Sequence, residues 1–123
     1  MTYDKNRPGP GEIDKRIEAA KKALQRREMI LANPSKNVGE INDLELGDTS
    51  ELQPLIIKLL EEISLSDYVG KRPPTRSYER SIKDCELWPF SFMSKELGKR
   101  MYLKFAIKNG RFFLVSIHKD KKK

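Results

Sequence analysis

The chain has 123 residues, of which 37% are hydrophobic and 35% charged, and its formal net charge is +7. This length allows one hydrophobic core but not two, so we expect a single small domain. A lone cysteine and a lone histidine exclude an internal disulfide and a Cys/His zinc site within one chain. No apolar signal region or run of membrane-spanning length is present, so we expect a cytoplasmic protein. No amphipathic basic helix stands out, so an anionic membrane surface is a less favoured partner than nucleic acid and we expect no membrane binding.

Positive charge is concentrated at the C-terminal end of the chain. Residues 95–123 hold ten Lys/Arg against two acids, whereas residues 33–67 hold two Lys against eight acids. A localised basic surface attracts polyanions, and nucleic acid is the commonest of these. We therefore expect RNA (or DNA) as partner, with an acidic protein as a further candidate. The acidic segment could also compete for the basic surface within the chain.

The N-terminal half predicts two helices. Residues 1–11 contain Pro and Gly repeatedly and read as a disordered lead-in. A helix is predicted over residues 12–32, where an apolar stripe is followed by a helix stop at Asn33-Pro34; the stripe consists of Ile13, Ile17, Ala20, Leu24 and Leu31. Residues 33–50 read as an acidic loop with at most one helical turn. A second helix is predicted over residues 54–63, with Pro54 at its start.

The C-terminal half predicts strands over residues 84–93, 100–108 and 111–118, followed by a basic tail at 119–123. Asn109-Gly110 suits the two positive φ angles of a type I′ hairpin turn. The predicted fold is therefore α+β, with two N-terminal helices packed on a small C-terminal antiparallel sheet of three or more strands.

The two-residue turn fixes a register for the hairpin. It pairs Lys108 with Arg111, Ile107 with Phe112, Phe105 with Leu114, Leu103 with Ser116 and Met101 with His118. Because side chains alternate between faces, one face is nearly all apolar and must be covered; it carries Met101, Leu103, Phe105, Ile107, Phe112, Leu114, Ser116 and His118. The other face mixes cations with aromatic and β-branched residues; it carries Tyr102, Lys104, Ala106, Lys108, Arg111, Phe113, Val115, Ile117 and Lys119.

The mixed face offers the chemistry of metal-independent RNA cleavage. A lysine or arginine can stabilise the extra charge on a pentavalent phosphate, and a tyrosine can take part in proton transfer. Arg100, Tyr102 and Lys104 are therefore the candidate catalytic residues. His118 is a fourth, since imidazole changes protonation near neutral pH, although it could equally be a polar rim residue of the sheet.

A stiff, basic loop before the first strand is a candidate phosphate-binding segment. Two adjacent prolines at positions 73 and 74 exclude a helix and a central strand, and arginine side chains suit phosphate geometry. The loop could also be an ordinary solvated connector. With the cations of the hairpin, the predicted nucleic-acid-binding residues are Lys71, Arg72, Arg76, Tyr78, Arg80, Lys108 and Arg111.

The C-terminal strands resemble those of small bacterial toxins of the RelE/MqsR type. In these families a strand with Tyr-x-Lys, a turn, and a strand ending in Ser-x-His recur, which corresponds here to Tyr102, Lys104 and Ser116 to His118. The resemblance covers about a third of the chain. It implies helices packed on a twisted antiparallel sheet, ribonuclease activity of toxin–antitoxin type, and an acidic antitoxin as partner.

The resulting prediction is an RNA-binding protein with the chemistry of a metal-independent endoribonuclease and no cofactor. Two alternatives remain open from the residues alone. One is a non-catalytic module that binds nucleic acid, and the other is a protein–protein adaptor that docks through the first helix. Salt separates the first of these from protein binding, because phosphate contacts weaken steeply as salt rises.

Overall fold

The computed structural model describes residues 7–26, 29–45 and 51–120, which form three α-helices and a four-stranded sheet. The helices are α1 (Pro10–Gln25), α2 (Pro34–Asp43) and α3 (Leu52–Glu62). The strands are β1 (Met29–Leu31), β2 (Trp88–Ser94), β3 (Lys99–Lys108) and β4 (Arg111–Lys119). Short 3-10 turns lie at Leu65–Asp67 and Arg80–Ile82. The predicted α+β class is confirmed, with helices mainly N-terminal and strands mainly C-terminal.

The sheet is mixed, whereas the sequence predicted a purely antiparallel one. Its strand order is β1-β4-β3-β2, and β1 runs parallel to β4 while the other pairs are antiparallel. The predicted helix over residues 12–32 was wrong beyond Gln25, because residues 29–31 pair with Phe112–Leu114 at the sheet edge. Leu31 follows Leu24 by seven residues and fits a helical stripe, so periodicity alone could not separate the two structures.

Helix α2 was predicted as an acidic loop. Its N-cap is Asn33, whose side chain accepts a hydrogen bond of 3.3 Å from the backbone N–H of Lys36, and Pro34 occupies the first turn. An Asn-Pro pair ends one helix as readily as it starts the next. The predicted loop over residues 33–50 was therefore wrong for residues 34–43, which form the helix that this pair starts.

The two ends of the chain lie partly outside the described residues. Of the predicted disordered lead-in, residues 1–6 are outside. Arg7 forms ion pairs with Glu12 and, at 2.9 Å, with Glu86, and α1 begins at Pro10. Of the predicted basic tail, Lys119 ends β4, and residues 121–123 lie outside the described part.

Helices α1 and α3 cover one face of the sheet, which we call the core face. Helix α3 was predicted at 54–63 and spans Leu52–Glu62. Its apolar side and that of α1 meet a continuous layer of buried strand residues, namely Trp88, Phe90, Phe92, Met101, Leu103, Phe105, Phe112, Leu114 and Ile117. Burial of this layer is the main stabilising contribution to the fold.

The hairpin turn has the predicted geometry, but the strands do not keep one register. Asn109 and Gly110 have φ of 54° and 74°, and the pairs from Lys108–Arg111 to Phe105–Leu114 match the prediction. Beyond them a β-bulge places one extra residue, Val115, in β4. Lys104 therefore pairs with Ser116, Leu103 with Ile117, Tyr102 with His118 and Met101 with Lys119. The predicted pairs Leu103–Ser116 and Met101–His118 were wrong.

Candidate nucleic-acid interface

The sheet face opposite the helices, which we call the second face, is divided into two halves. The half near the hairpin turn is covered by the segment before β2 and by the residue after β1, since Ala106, Phe113 and Val115 are buried in one cluster with Ile82 and Ala32. The other half, which we call the open half, carries the polar residues of β2, β3 and β4. The uninterrupted basic platform that the alternation predicted is therefore shorter than the strands themselves.

The β-bulge decides which residues of β4 reach the open half. Beyond Val115 the alternation shifts by one residue, so Ile117 turns into the core, where it is fully buried. Ser116 and His118, both expected on the core face, lie on the second face instead. Three of the four predicted catalytic residues, Tyr102, Lys104 and His118, are thereby brought together.

Tyr102 and His118 form a stacked pair across β3 and β4. Their ring centroids are 4.8 Å apart with an interplanar angle of 19°. The Nδ1 atom of His118 lies 2.9 Å from the backbone oxygen of Lys119. Because a carbonyl oxygen only accepts, a hydrogen bond here requires the proton on Nδ1, the tautomer in which Nε2 is the acceptor.

The fourth predicted catalytic residue, Arg100, lies at the outer end of the same face. Its Nε atom is 3.9 Å from Oδ2 of Asp120, which also accepts a hydrogen bond from the hydroxyl of Ser91. Arg100 is thus paired with Asp120, and it lies four residues from Lys104 along β3.

The phenol of Tyr102 is protonated at neutral pH. Burial, and secondarily the negative charge of Asp120, raises the pKa of this phenol above its usual value.

Lys104 occupies the middle of the open half. Its ammonium is half-buried, and its Nζ atom lies 6.0 Å from the centre of the Tyr102 ring. Burial, with a smaller contribution from the charge of Lys36, lowers the pKa of Lys104; Glu40 and Glu79 act in the opposite direction. Among the described residues Lys104 forms no hydrogen bond or ion pair through Nζ. A cation in this state favours an anionic ligand.

Helix α2 contributes a cation that the sequence reading missed. Lys36 donates from Nζ to the backbone oxygen of Val115 at 2.9 Å and to Oγ of Ser116 at 2.6 Å. Asn37 donates to the same Val115 oxygen, and Glu40 accepts from the N–H of Ile117. These side chains satisfy the edge of β4 where β1 has ended. The missed signal was the Asn33-Pro34 helix start.

Two cavities lie on either side of Lys104. The first has a volume of about 210 Å³ and is lined by residues of the 69–75 segment, including Lys71, together with Tyr102. The second has a volume of about 310 Å³ and is lined by Lys36 and by the segment from Thr75 to Glu79. Lys104 is the charged residue that lines both, and Thr75 and Leu87 line both with it.

The predicted loop residues divide between this groove and other places. Lys71 lines the first cavity, Arg76 and Tyr78 line the second, and the side chain of Tyr78 is 94% exposed. Arg72 instead donates a hydrogen bond to the backbone oxygen of Pro8 and lies 5.7 Å over the ring of Tyr68. Arg80 is exposed on a 3-10 turn and lines neither cavity.

The predicted hairpin cations Lys108 and Arg111 lie opposite each other in the register of β3 and β4, beside the turn and away from the open half. Lys108 donates from Nζ to the backbone oxygen of Ser81 at 3.1 Å. Four residues separate it from Lys104 along β3, which corresponds to roughly 13 Å. The buried cluster around Phe113 lies between these two ends of the second face.

Within the described ranges, no cluster of three or more His, Cys, Asp or Glu side chains could hold a metal ion. None of the helices in those ranges is both long and apolar enough to cross a membrane. No family model, curated protein or solved structure matches this chain.

Proposed function

We propose that the protein binds RNA along the open half of the second face and cleaves it there without a metal ion. The observation that supports this most strongly is the position of Lys104, a half-buried cation between two cavities and beside the Tyr102–His118 pair. A phosphodiester at Lys104 would have one nucleotide in each cavity. The strand resemblance to RelE/MqsR-type toxins points to the same activity and to an acidic antitoxin as partner.

The chemistry on this face suits cleavage through the ribose 2′-hydroxyl. In the proposed step, Nε2 of His118 accepts the 2′-hydroxyl proton as the 2′-oxygen bonds to phosphorus. The bond from phosphorus to the 5′-oxygen breaks, and the Tyr102 phenol supplies a proton to that leaving oxygen. Lys104 stabilises the added negative charge on the phosphoryl oxygens. The products are a 2′,3′-cyclic phosphate and a 5′-hydroxyl, so DNA would bind without being cleaved.

Binding would draw on the cations and the exposed aromatic residue of the groove. Lys71 lies in one cavity and Arg76 in the other, so both flank the proposed position of the scissile phosphate. The exposed ring of Tyr78 offers a face on which a base can stack. Stacking and phosphate contacts of this kind favour single-stranded nucleic acid.

Cleavage of single-stranded RNA in the presence of a metal chelator tests the proposal. We expect His118→Asn to lower the rate by about 10²–10⁴-fold and Lys104→Met by about 10²–10³-fold. The matched control is Lys108→Met, which removes the same charge from the same strand but outside the groove. We expect its rate to stay within about twofold of the unmodified protein, since substitutions away from the site have small effects.

Two results would contradict the enzymatic proposal. RNA that stays intact with the unmodified protein, while RNA and DNA both bind in a salt-sensitive manner, would assign the groove to a non-catalytic module. Cleavage that survives Lys104→Met in a folded variant would place the active site elsewhere.

A further inference from the structure

The second cavity holds three cations from three separate parts of the chain. Lys36 comes from α2, Arg76 from the segment before β2, and Lys104 from β3, and all three line the same volume of about 310 Å³. One carboxylate, that of Glu79, lines it as well. The lining therefore carries a net positive charge, which favours an anion of more than one charge.

The ammonium of Lys36 still has a donor to offer. An ammonium group carries three N–H donors. In Lys36 two of them are used, by the backbone oxygen of Val115 and by Oγ of Ser116. These two bonds hold the ammonium against β4, and the third donor is left for a ligand in the cavity.

The neighbouring acidic groups do not neutralise this arrangement completely. Glu40 accepts hydrogen bonds at Oε1 from the N–H of Ile117 and from Nδ2 of Asn37 and keeps its negative charge, so Glu40 and Glu79 together balance two of the three cations. The repulsion between Lys36 and Lys104 contributes to the lowered pKa of Lys104. A bound anion would relieve that repulsion and supply the hydrogen-bonded ion partner that the Lys104 ammonium, which contacts only the Tyr102 ring, lacks among the described residues.

We propose that Lys36 and Lys104, with Arg76, form a phosphate-binding site in the second cavity. This inference rests on the proposed function for the source of the phosphate, which would be a nucleotide of RNA. The volume of the second cavity, about 310 Å³, is at the lower end of the range for small-molecule sites, which starts at about 300 Å³. A phosphate with its attached nucleoside would place the base near Tyr78.

Titration with inorganic phosphate tests the site without any RNA. The lysine side-chain signals of the intact protein are followed by NMR at constant ionic strength, with chloride as the reference anion. We expect saturable shifts at Lys36 and Lys104 with phosphate and none with chloride. Similar, non-saturating shifts at all lysines would overturn the proposal.

Substitution of Lys36 gives the matched comparison. Lys36→Gln removes the charge and should weaken phosphate binding by about tenfold or more, whereas Lys36→Arg should retain most of it. The backbone oxygen of Val115 keeps its bond from Asn37 in the variant, so the helix retains a contact with the strand. Lys22→Gln, in the last turn of α1, is the charge-matched control. Unchanged phosphate affinity in Lys36→Gln would overturn the role of Lys36.

The affinities of a nucleoside 5′-monophosphate and of the matching nucleoside, each compared with the affinity of inorganic phosphate, identify the source of the phosphate. Tighter binding of the monophosphate than of inorganic phosphate supports an RNA ligand. Equal affinity assigns the site to free phosphate and overturns its link to RNA. Specific phosphate binding without RNA cleavage would leave the site in place and refute the enzymatic function. RNA cleavage without specific phosphate binding would refute the phosphate site and leave the enzymatic function in place.

Discussion

Lys104 is the residue at which stability and the proposed function oppose each other. Its ammonium is half-buried beside another lysine, and within the described ranges it forms no ion pair. Removing a charge from water without a compensating partner costs free energy. In the proposed function, the same environment prepares the cation for an anionic ligand.

Replacement of Lys104 by methionine should therefore stabilise the free protein. We expect a gain of roughly 1 kcal/mol or less at neutral pH, because the side chain keeps its length and loses an unfavourable charge. The folded-state pKa of Lys104 lies below its unfolded value, so the cost is full below the folded pKa. It shrinks as pH rises from the folded pKa to the unfolded one.

Denaturant unfolding of the two proteins across neutral to alkaline pH measures this difference. The advantage of Lys104→Met should be largest near neutrality and should narrow as the solution becomes alkaline. A variant that is less stable at neutral pH would mean that the Lys104 ammonium has a stabilising partner.

The sequence alone predicts the sheet face of some residues of the proposed site but not of others. Tyr102 and Lys104 lie on β3, whose alternation is fixed by the Asn109-Gly110 turn, so their shared face was predictable. His118 was placed on the wrong face, because no local signal in β4 marks Val115 as the bulged residue. Lys36 reaches the site through tertiary packing of α2, which no pattern within the helix announces.

At the scale of the elements, the β-bulge brings the residues of the proposed site together on one face. A regular hairpin would place Ile117 on the second face and His118 among the core residues. The extra residue exchanges them, so that the apolar side chain is buried and the imidazole stacks on Tyr102. Burying Ile117 instead of a polar ring is the energetic reason for the shift.

Ile117→Ala tests this account of β4. Ile117 is fully buried in the core cluster, so its truncation should destabilise the protein by about 2–5 kcal/mol. Lys119→Ala, two residues further along the strand at an exposed position, is the control and should change stability by about 0.5 kcal/mol or less. Thermal and denaturant unfolding report both values. A loss as small as that of the control would support the regular register.

The elements that could be predicted are those with a strong local signal. Strands β3 and β4 have alternation and a turn between them, and α3 has a wide apolar face. Strand β1 has only three residues and exists because β4 offers an edge to pair with. Its parallel direction follows from the overall topology, which local sequence patterns do not encode.

At the scale of the molecule, the two faces of the sheet are covered to different extents. The core face is sealed by α1 and α3, and the second face is sealed only in the half near the turn. The open half lies between α2 and the segment before β2, and both supply cations to it. The net charge of +7 supports attraction of a polyanion over longer distances.

The salt dependence of RNA binding should report the size of this surface. Four cations line the two cavities: Lys36, Lys71, Arg76 and Lys104. At about 0.7 per phosphate contact on a single strand, the slope of log affinity against log salt should be near −3. Binding titrations over a range of salt concentrations measure it. A slope near zero would contradict phosphate contacts, and a much steeper one would require cations beyond the groove.

The most direct test of the central claim is to map where a nucleic acid contacts the protein. A single-stranded DNA oligonucleotide serves as a ligand that lacks the 2′-hydroxyl and is not cleaved, and NMR shifts of backbone and side chains locate it. We expect the largest changes at Tyr102, Lys104, His118 and Lys36, with Lys108 and Arg111 nearly unaffected. Changes centred on the hairpin turn, or on the outer surfaces of α1 and α3, would contradict the account.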